Sequence, residues 1–179
     1  KLQRHYLENK SEGWHWYENL LVYDNGILPL AMLHAAEILH DQKITKVAIS
    51  TMNFLTSHTL KGEYLSIIGN EKWYKKEGER SVYAQQPIDA MAMVLMYYQA
   101  YHLTRDKDYL SKLYTSFLWF LGENDLRMSL YDFETKGCCD GFESYGVNRN
   151  QGAESSLAYL ISHLTVLEAH EDLNKSDLI

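Results

Sequence analysis

Two kinds of helical pattern alternate along this chain, and their alternation restricts the fold more than any other feature. From Ile27 to His40 the apolar residues Leu28, Leu30, Ala31, Leu33, Ala35, Ala36, Ile38 and Leu39 wrap most of the way round a helix. Pro29 sits near its first turn, where a missing N–H is harmless. A polar turn follows at His40–Lys43. The next segment has a single stripe, Ile44, Val47, Ala48, Thr51, Met52 and Leu55, close to a 3.6-residue period. The same pair returns. Pro87 opens an all-round apolar helix to about Leu103, and a turn at Thr104–Asp108 leads to a one-sided stripe, Leu110, Leu113, Tyr114, Phe117, Phe120 and Leu121. A third all-round helix carries Leu157, Ala158, Tyr159, Leu160, Ile161, Leu164 and Leu167 and is expected to end in a third short turn at His170-Glu171-Asp172.

Short turns near positions 40, 104 and 170 and all-round helices beginning near 27, 87 and 152 define a repeat of roughly 60–65 residues. A helix apolar on all sides must be covered on most of them, so the pattern predicts an all-α fold of repeated helical hairpins, an inner set shielded by an outer set. Short turns make neighbouring helices antiparallel and leave the long connections, about 57–85 and 122–150, together at the opposite end. Short strands are expected inside these connections, at Glu63–Ile68 and Ser81–Ala84. Long loops on a rigid scaffold are where function collects.

Composition narrows the partners. The net charge is −7 and there is no basic stripe, which argues against nucleic-acid binding. No apolar run is long enough to span a membrane. Cys138 and Cys139 are adjacent and have no third cysteine to pair with, which points to a reducing compartment, the cytoplasm, and away from a metal site. No fingerprint for a nucleotide or other cofactor is present, and none is expected to be needed.

The long-loop end gathers a distinctive set of side chains. Trp14, Trp16, Glu18, Tyr23, Asp24 and Asn25 precede the first inner helix. Trp73, Gln85 and Gln86 precede the second, with Asp89 in its first turn. Asp140, Asn148, Asn150 and Gln151 precede the third, with Glu154 in its first turn. Aromatic faces stack on sugar C–H patches, and amides and carboxylates pair with hydroxyls. Two carboxyl groups, one as acid and one as base or nucleophile, are what glycoside chemistry requires. Asp89, Glu154 and Asp24 are therefore the candidate catalytic residues. Trp14, Trp16, Glu18, Tyr23, Asn25, Trp73, Gln85, Gln86, Asp140, Asn148, Asn150 and Gln151 are the candidate sugar contacts. The competing reading of the carboxylates is that they cap helices and compensate helix dipoles, and of the amides that they satisfy buried loop backbone.

The stretches Trp14-His15-Trp16-Tyr17-Glu18 through Tyr23-Asp24-Asn25, Gln85-Gln86-Pro87-Ile88-Asp89-Ala90, Asp140-Gly141 and Asn148 through Ser156 resemble the (α/α)-toroid domains associated with bacterial glycosyltransferases. These belong to the six-hairpin glycosidase-like group, which also includes the N-acylglucosamine 2-epimerases. The resemblance covers about Trp14 to Glu168. It implies a carbohydrate-facing cleft in a barrel of helical hairpins, either processing a glycoside or serving as a non-catalytic glycan-binding or scaffolding module of a glycosyltransferase. A complete toroid has about six hairpins. Residues 1–179 are accordingly expected to form a single domain amounting to half of one, its C-terminal part, which leaves inner-helix flanks to be covered by the remaining toroid or a partner subunit.

Overall fold

A computed structural model of the chain describes residues 1–176. Those residues are mostly helical, with six helices and three two-stranded sheets. In chain order they are α1 (Leu2–Asn9), β1 (Leu20–Leu21), α2 (Ile27–Leu39), α3 (Gln42–Thr59), β2 (Leu60–Lys61), β3 (Tyr64–Leu65), β4 (Tyr74–Lys75), α4 (Pro87–Thr104), α5 (Asp108–Leu118), a 3₁₀ turn Trp119–Leu121, β5 (Gly141–Glu143), β6 (Gly146–Asn148) and α6 (Ala153–Ser176). None of these helices is long and apolar enough to cross a membrane.

The inner layer is α2, α4 and α6, with α4 in the middle; α3 packs on α2, and α5 on α4 and, more lightly, on α6. The inner helices run parallel. At their N-terminal ends the Asp24 N–H donates to Asp89 Oδ1 at 2.6 Å. At the C-terminal ends Gln99 Nε2 of α4 donates to Glu37 Oε2 of α2 at 2.7 Å, and Tyr98 OH of α4 donates to Asp172 Oδ2 of α6 at 2.9 Å. His102 Nε2 lies 3.3 Å from the same Asp172 oxygen.

Both hairpin turns use one device. His40 and Arg105 cap α2 and α4 in the left-handed conformation, at φ 51° and 62°, without glycine. An aspartate follows each of them. Asp41 Oδ1 accepts from the Lys43 and Ile44 amides at the start of α3, and Asp106 Oδ1 accepts from the Asp108 amide at the start of α5. Such capping bonds stabilise a helix start by about 1 kcal/mol, which offsets the left-handed backbone before it.

Two expectations are corrected by the structure. No turn forms at His170-Glu171-Asp172; α6 continues to Ser176. Asp172 is held on that helix by Tyr98 and His102 of α4. Nor is Ser81–Ala84 a strand. The short strands are the hairpins β2–β3 and β5–β6, together with the long-range pair β1–β4. The third inner helix also differs from the second. α4 is buried on nearly all sides, whereas Leu157, Leu160, Ile161, Leu164 and Leu167 of α6 are exposed.

Gly26 fixes how closely α2 approaches α4. A Cβ added there would lie 2.8 Å from the Ala92 carbonyl carbon and 3.0 Å from the Ala92 Cβ. Overpacking of this kind costs about 1–3 kcal/mol. Gly26→Ala is expected to lower the unfolding free energy from urea titrations by about 1–3 kcal/mol while leaving the helical circular dichroism of the native protein unchanged.

Candidate functional site

The N-terminal ends of the three parallel helices converge, and each brings a carboxylate. Asp24 lies just before α2, Asp89 in the first turn of α4 and Glu154 in the first turn of α6. The interval from Asp24 to Asp89 is 65 residues, and the interval from Asp89 to Glu154 is the same. The three are repeat equivalents. Helix N-termini carry partial positive charge, which favours carboxylates at this end.

The three carboxylates do not share one environment. Asp89 is buried, 3% exposed. Burial pushes its pKa well up; the main-chain N–H groups of Asp24 and Asn25, donating to it, oppose that rise, and the charges of Asp24 and Glu154 add to it. Asp24 adopts a left-handed φ of 52°, which turns its N–H toward Asp89. Its own pKa is raised to about 6, first by burial and then by the charge of Glu154. Asp24 Oδ1 and Asp89 Oδ2 are buried and have no hydrogen-bond partner among the described residues. Glu154 is exposed.

Two clefts open beside this trio. One, of about 250 Å³, is lined by Trp16, Glu18, Tyr23, Asp24 and Asn25, among others. The other, of about 350 Å³, is lined by Gln86, Asp140, Glu143, Asn148, Glu154 and Ser155, among others. Neither lining contains Lys or Arg. The first is mostly apolar, with Leu20, Val22, Ile27 and Leu28 beside its two carboxylates, and the second is mostly polar, with three carboxylates; both are open to solvent.

The remaining candidates divide by what they already hold. Trp14 and Trp16 are core residues, 4% and 1% exposed. Trp14 packs edge-on against Phe54 and Tyr74, and its Nε1 donates to the Glu18 carbonyl at 2.7 Å. Asn25 is a loop clamp: its Oδ1 accepts from the Val22 amide and its Nδ2 donates to the Val22 carbonyl. Trp73 is partly exposed with a left-handed φ of 59° and lines neither cleft. Gln86 accepts from Asn70 Nδ2 at 2.7 Å. Gln151 bridges Asp132 and Thr135, and Asn148 Oδ1 accepts from the Asn150 amide.

Asp140 caps α6 from outside the helix. Its Oδ1 accepts from the Gly152 amide and Ser155 Oγ, each at 2.7 Å, and its Oδ2 accepts from Asn150 Nδ2. Partial burial works against the charged form, but these three donors outweigh it and hold the carboxyl below its ordinary range. One cleft-lining residue, Glu143, escapes a sequence reading. Glu143 and Tyr145 sit on the β5–β6 hairpin, and Tyr145 is 84% exposed. The turn between them, Ser144-Tyr145 before Gly146 at φ 135°, was the available signal.

Gln85 has no free valence for a ligand. Its Oε1 accepts from the Ile67 amide at 3.2 Å and Trp119 Nε1 at 2.9 Å. Its Nε2 donates to the Val82 carbonyl at 2.8 Å and Asp125 Oδ2 at 2.6 Å. Gln85→Leu would strand buried donors, each costing about 1–3 kcal/mol. That variant is expected to lose at least about 2 kcal/mol of unfolding free energy in urea titrations.

The raised pKa of Asp24 sets a pH dependence of stability. The folded-state value, about 6, lies above the unfolded value, about 3.9. Folding therefore takes up a proton between the two, and the contribution of Asp24 to stability falls as pH rises through that window. Asp24→Asn is expected to melt at a higher temperature than the parent at pH 7.5, with the difference shrinking between pH 6 and pH 4 and vanishing below it. No protein-family model and no curated protein matches this chain.

Proposed function

We propose that this chain is a carbohydrate-active domain that binds an uncharged glycoside at the long-loop end and processes it with carboxyl groups. In this reading the inner and outer helices are half of an (α/α) toroid of the glycosyltransferase-associated kind. The observation that carries it is the pair Asp24 and Glu154, placed at equivalent helix starts in different environments, with Asp24 near 6. A carboxyl with a raised pKa, such as Asp24, suits the acid role, and an exposed carboxyl near it suits the base or nucleophile role. Asp24, protonated over much of the range below neutrality, gives its proton to the glycosidic oxygen. Glu154, exposed in the neighbouring cleft and near enough for its charge to raise the pKa of Asp24, activates water or attacks the anomeric carbon. Asp89 is a positioning residue: by accepting the Asp24 N–H it holds that loop in its left-handed conformation. The all-acidic charge of the linings disfavours phosphosugars and uronates, which leaves uncharged sugars as the substrate class. Tyr23, at the rim, supplies a stacking face.

A second reading, a non-catalytic glycan-binding or scaffolding module, is supported by a different observation. Gln85, Asn25, Asp140, Asn150 and Gln151 all spend hydrogen-bonding capacity on the protein itself.

The test is a panel of uncharged oligosaccharides and aryl glycosides, read by thermal shift and by release of reducing ends or aglycone. A catalytic domain should turn over at least one of them, and Asp24→Asn and Glu154→Gln should each reduce that rate by about 10²-fold or more, the scale of general acid–base catalysis, with melting temperatures at or above the parent value. Thermal shift without turnover favours the binding module. No shift and no turnover with any sugar removes both readings.

A further inference from the structure

A third cleft adjoins the one that Asp24 lines. It measures about 520 Å³ and is lined by Asn19, Leu20, Lys75, Lys76 and Glu77. Leu20 also lines the Asp24 cleft, so the two share a wall. The pairing of β1 with β4 explains what faces them. Leu20 pairs with Lys75, and Leu21 with Tyr74. Side chains alternate across a strand. Leu21 is fully buried and Tyr74 packs on Trp14 and His58, so that face looks into the core. Leu20 and the exposed Lys75 belong to the other face. Val22, two residues beyond Leu20, lines the Asp24 cleft as Leu20 does.

Carried one residue past the last pair, the same register sets Trp73 across from Val22. Trp73 is 40% exposed, whereas Trp14, Trp16 and Trp119 are buried. Its backbone is left-handed at φ 59°, and so is that of Glu77 at 64°. These two bracket β4. The conformation of Trp73 is fixed from both sides: its N–H donates to the Gly69 carbonyl at 3.1 Å, and its own carbonyl accepts from the Ser81 amide at 2.9 Å. Left-handed backbone is rare for a bulky side chain, and such outliers collect at ligand clamps. Charge also sets the third cleft apart. The other two hold carboxylates and no Lys or Arg, whereas this one holds Lys75 and Lys76 beside Glu77. Two ammonium groups, an amide and a carboxylate give it both donors and acceptors for hydroxyl groups.

We infer that the third cleft is a distal subsite for the same ligand, and that the substrate is an oligosaccharide rather than a simple glycoside. One sugar unit occupies the Asp24 cleft. A further unit lies past Leu20 against Lys75 and Lys76, with the Trp73 ring as its stacking face. Ligand pockets run from about 300 to 1,000 Å³. The Asp24 cleft alone, at about 250 Å³, falls short of that range, and joined to the third cleft it falls within it. The inference rests on the carbohydrate reading above and narrows its substrate class to chains long enough to reach β4.

The test is binding of cello-, malto- and manno-oligosaccharides, each from disaccharide to hexasaccharide, read by calorimetry and by acrylamide quenching of tryptophan fluorescence. Trp73 is the exposed tryptophan, so quenching reports on it. In a series that binds, affinity should rise about tenfold with length, and the longer members should shield Trp73 from acrylamide. Lys75→Ala combined with Lys76→Ala, and separately Trp73→Ala, should lower affinity for the longer members to that of the shorter ones. Both variants should leave the shorter ones and the circular dichroism unchanged. Equal affinity at every length, or a gain with length that survives either variant, overturns this inference and leaves the carbohydrate reading standing. No binding of any member also overturns it, and that reading is then decided by the wider glycoside panel.

Discussion

A single buried amide, Gln85, ties the long-loop end together. Both lone pairs of its oxygen and both protons of its nitrogen are used, and its main chain exchanges two further hydrogen bonds with Phe142. Three connections that are far apart in sequence meet there: the segment around Ile67 and Val82, the Trp119–Asp125 segment and the β5 strand. In a low-dielectric interior a fully satisfied network of this kind specifies one arrangement, because every alternative leaves a polar group unpaired. The next residues, Gln86 and Pro87, begin α4. The position of Gln85 therefore sets where Asp89 emerges, and Asp89 in turn sets the Asp24 loop through the Asp24 amide. The acidic end is built outward from a core amide.

That end combines opposed electrostatic effects. Three parallel helices point their positive ends at the carboxylates, and the Asp24 and Asn25 amides solvate Asp89 directly. Against this, burial and mutual repulsion raise the pKa values of Asp24 and Asp89, and two carboxyl oxygens lack partners. Asp140, used only as a cap, is paired with donors, and its pKa falls. The contrast between Asp140, lowered by its donors, and Asp24, raised with an orphan oxygen, separates a carboxylate spent on structure from one left available for chemistry.

The helices α2 to α5 were legible in the sequence because their periodicity carries the burial directly, whereas α1 was not anticipated. The stripe of α3 and the all-round pattern of α4 both correspond to what is buried. The loops were less legible. β1 and β4 are two residues each and pair across more than fifty positions, too short for any alternation to register. Trp14 and Trp16 suit a sugar platform by residue type, yet their rings fill the space beside Phe54 and Tyr17. The same loop composition is consistent with either outcome, and only packing decides between them. His170-Glu171-Asp172 has turn composition, but nothing in it forbids a helix, and the bond from Tyr98 holds Asp172 on α6. The equal spacing of Asp24, Asp89 and Glu154 was present in the sequence, but its meaning depends on the inner helices being parallel.

Parallel packing also explains why polar ties lie at the end away from the carboxylates. Like charges at the helix starts push α2, α4 and α6 apart there. Splaying one end of a helix layer without separating the whole requires a hinge at the other. The ties from Gln99 to Glu37 and from Tyr98 and His102 to Asp172 fasten both helix pairs at their C-terminal ends. Hydrogen bonds to charged groups contribute about 1.5–3 kcal/mol each, comparable to the cost of one strongly raised carboxyl, at about 1.4 kcal/mol per pKa unit. The inner layer is thus fastened by polar ties at the end away from its carboxylates, and at the carboxylate end one oxygen each of Asp24 and Asp89 stays without a partner among the described residues.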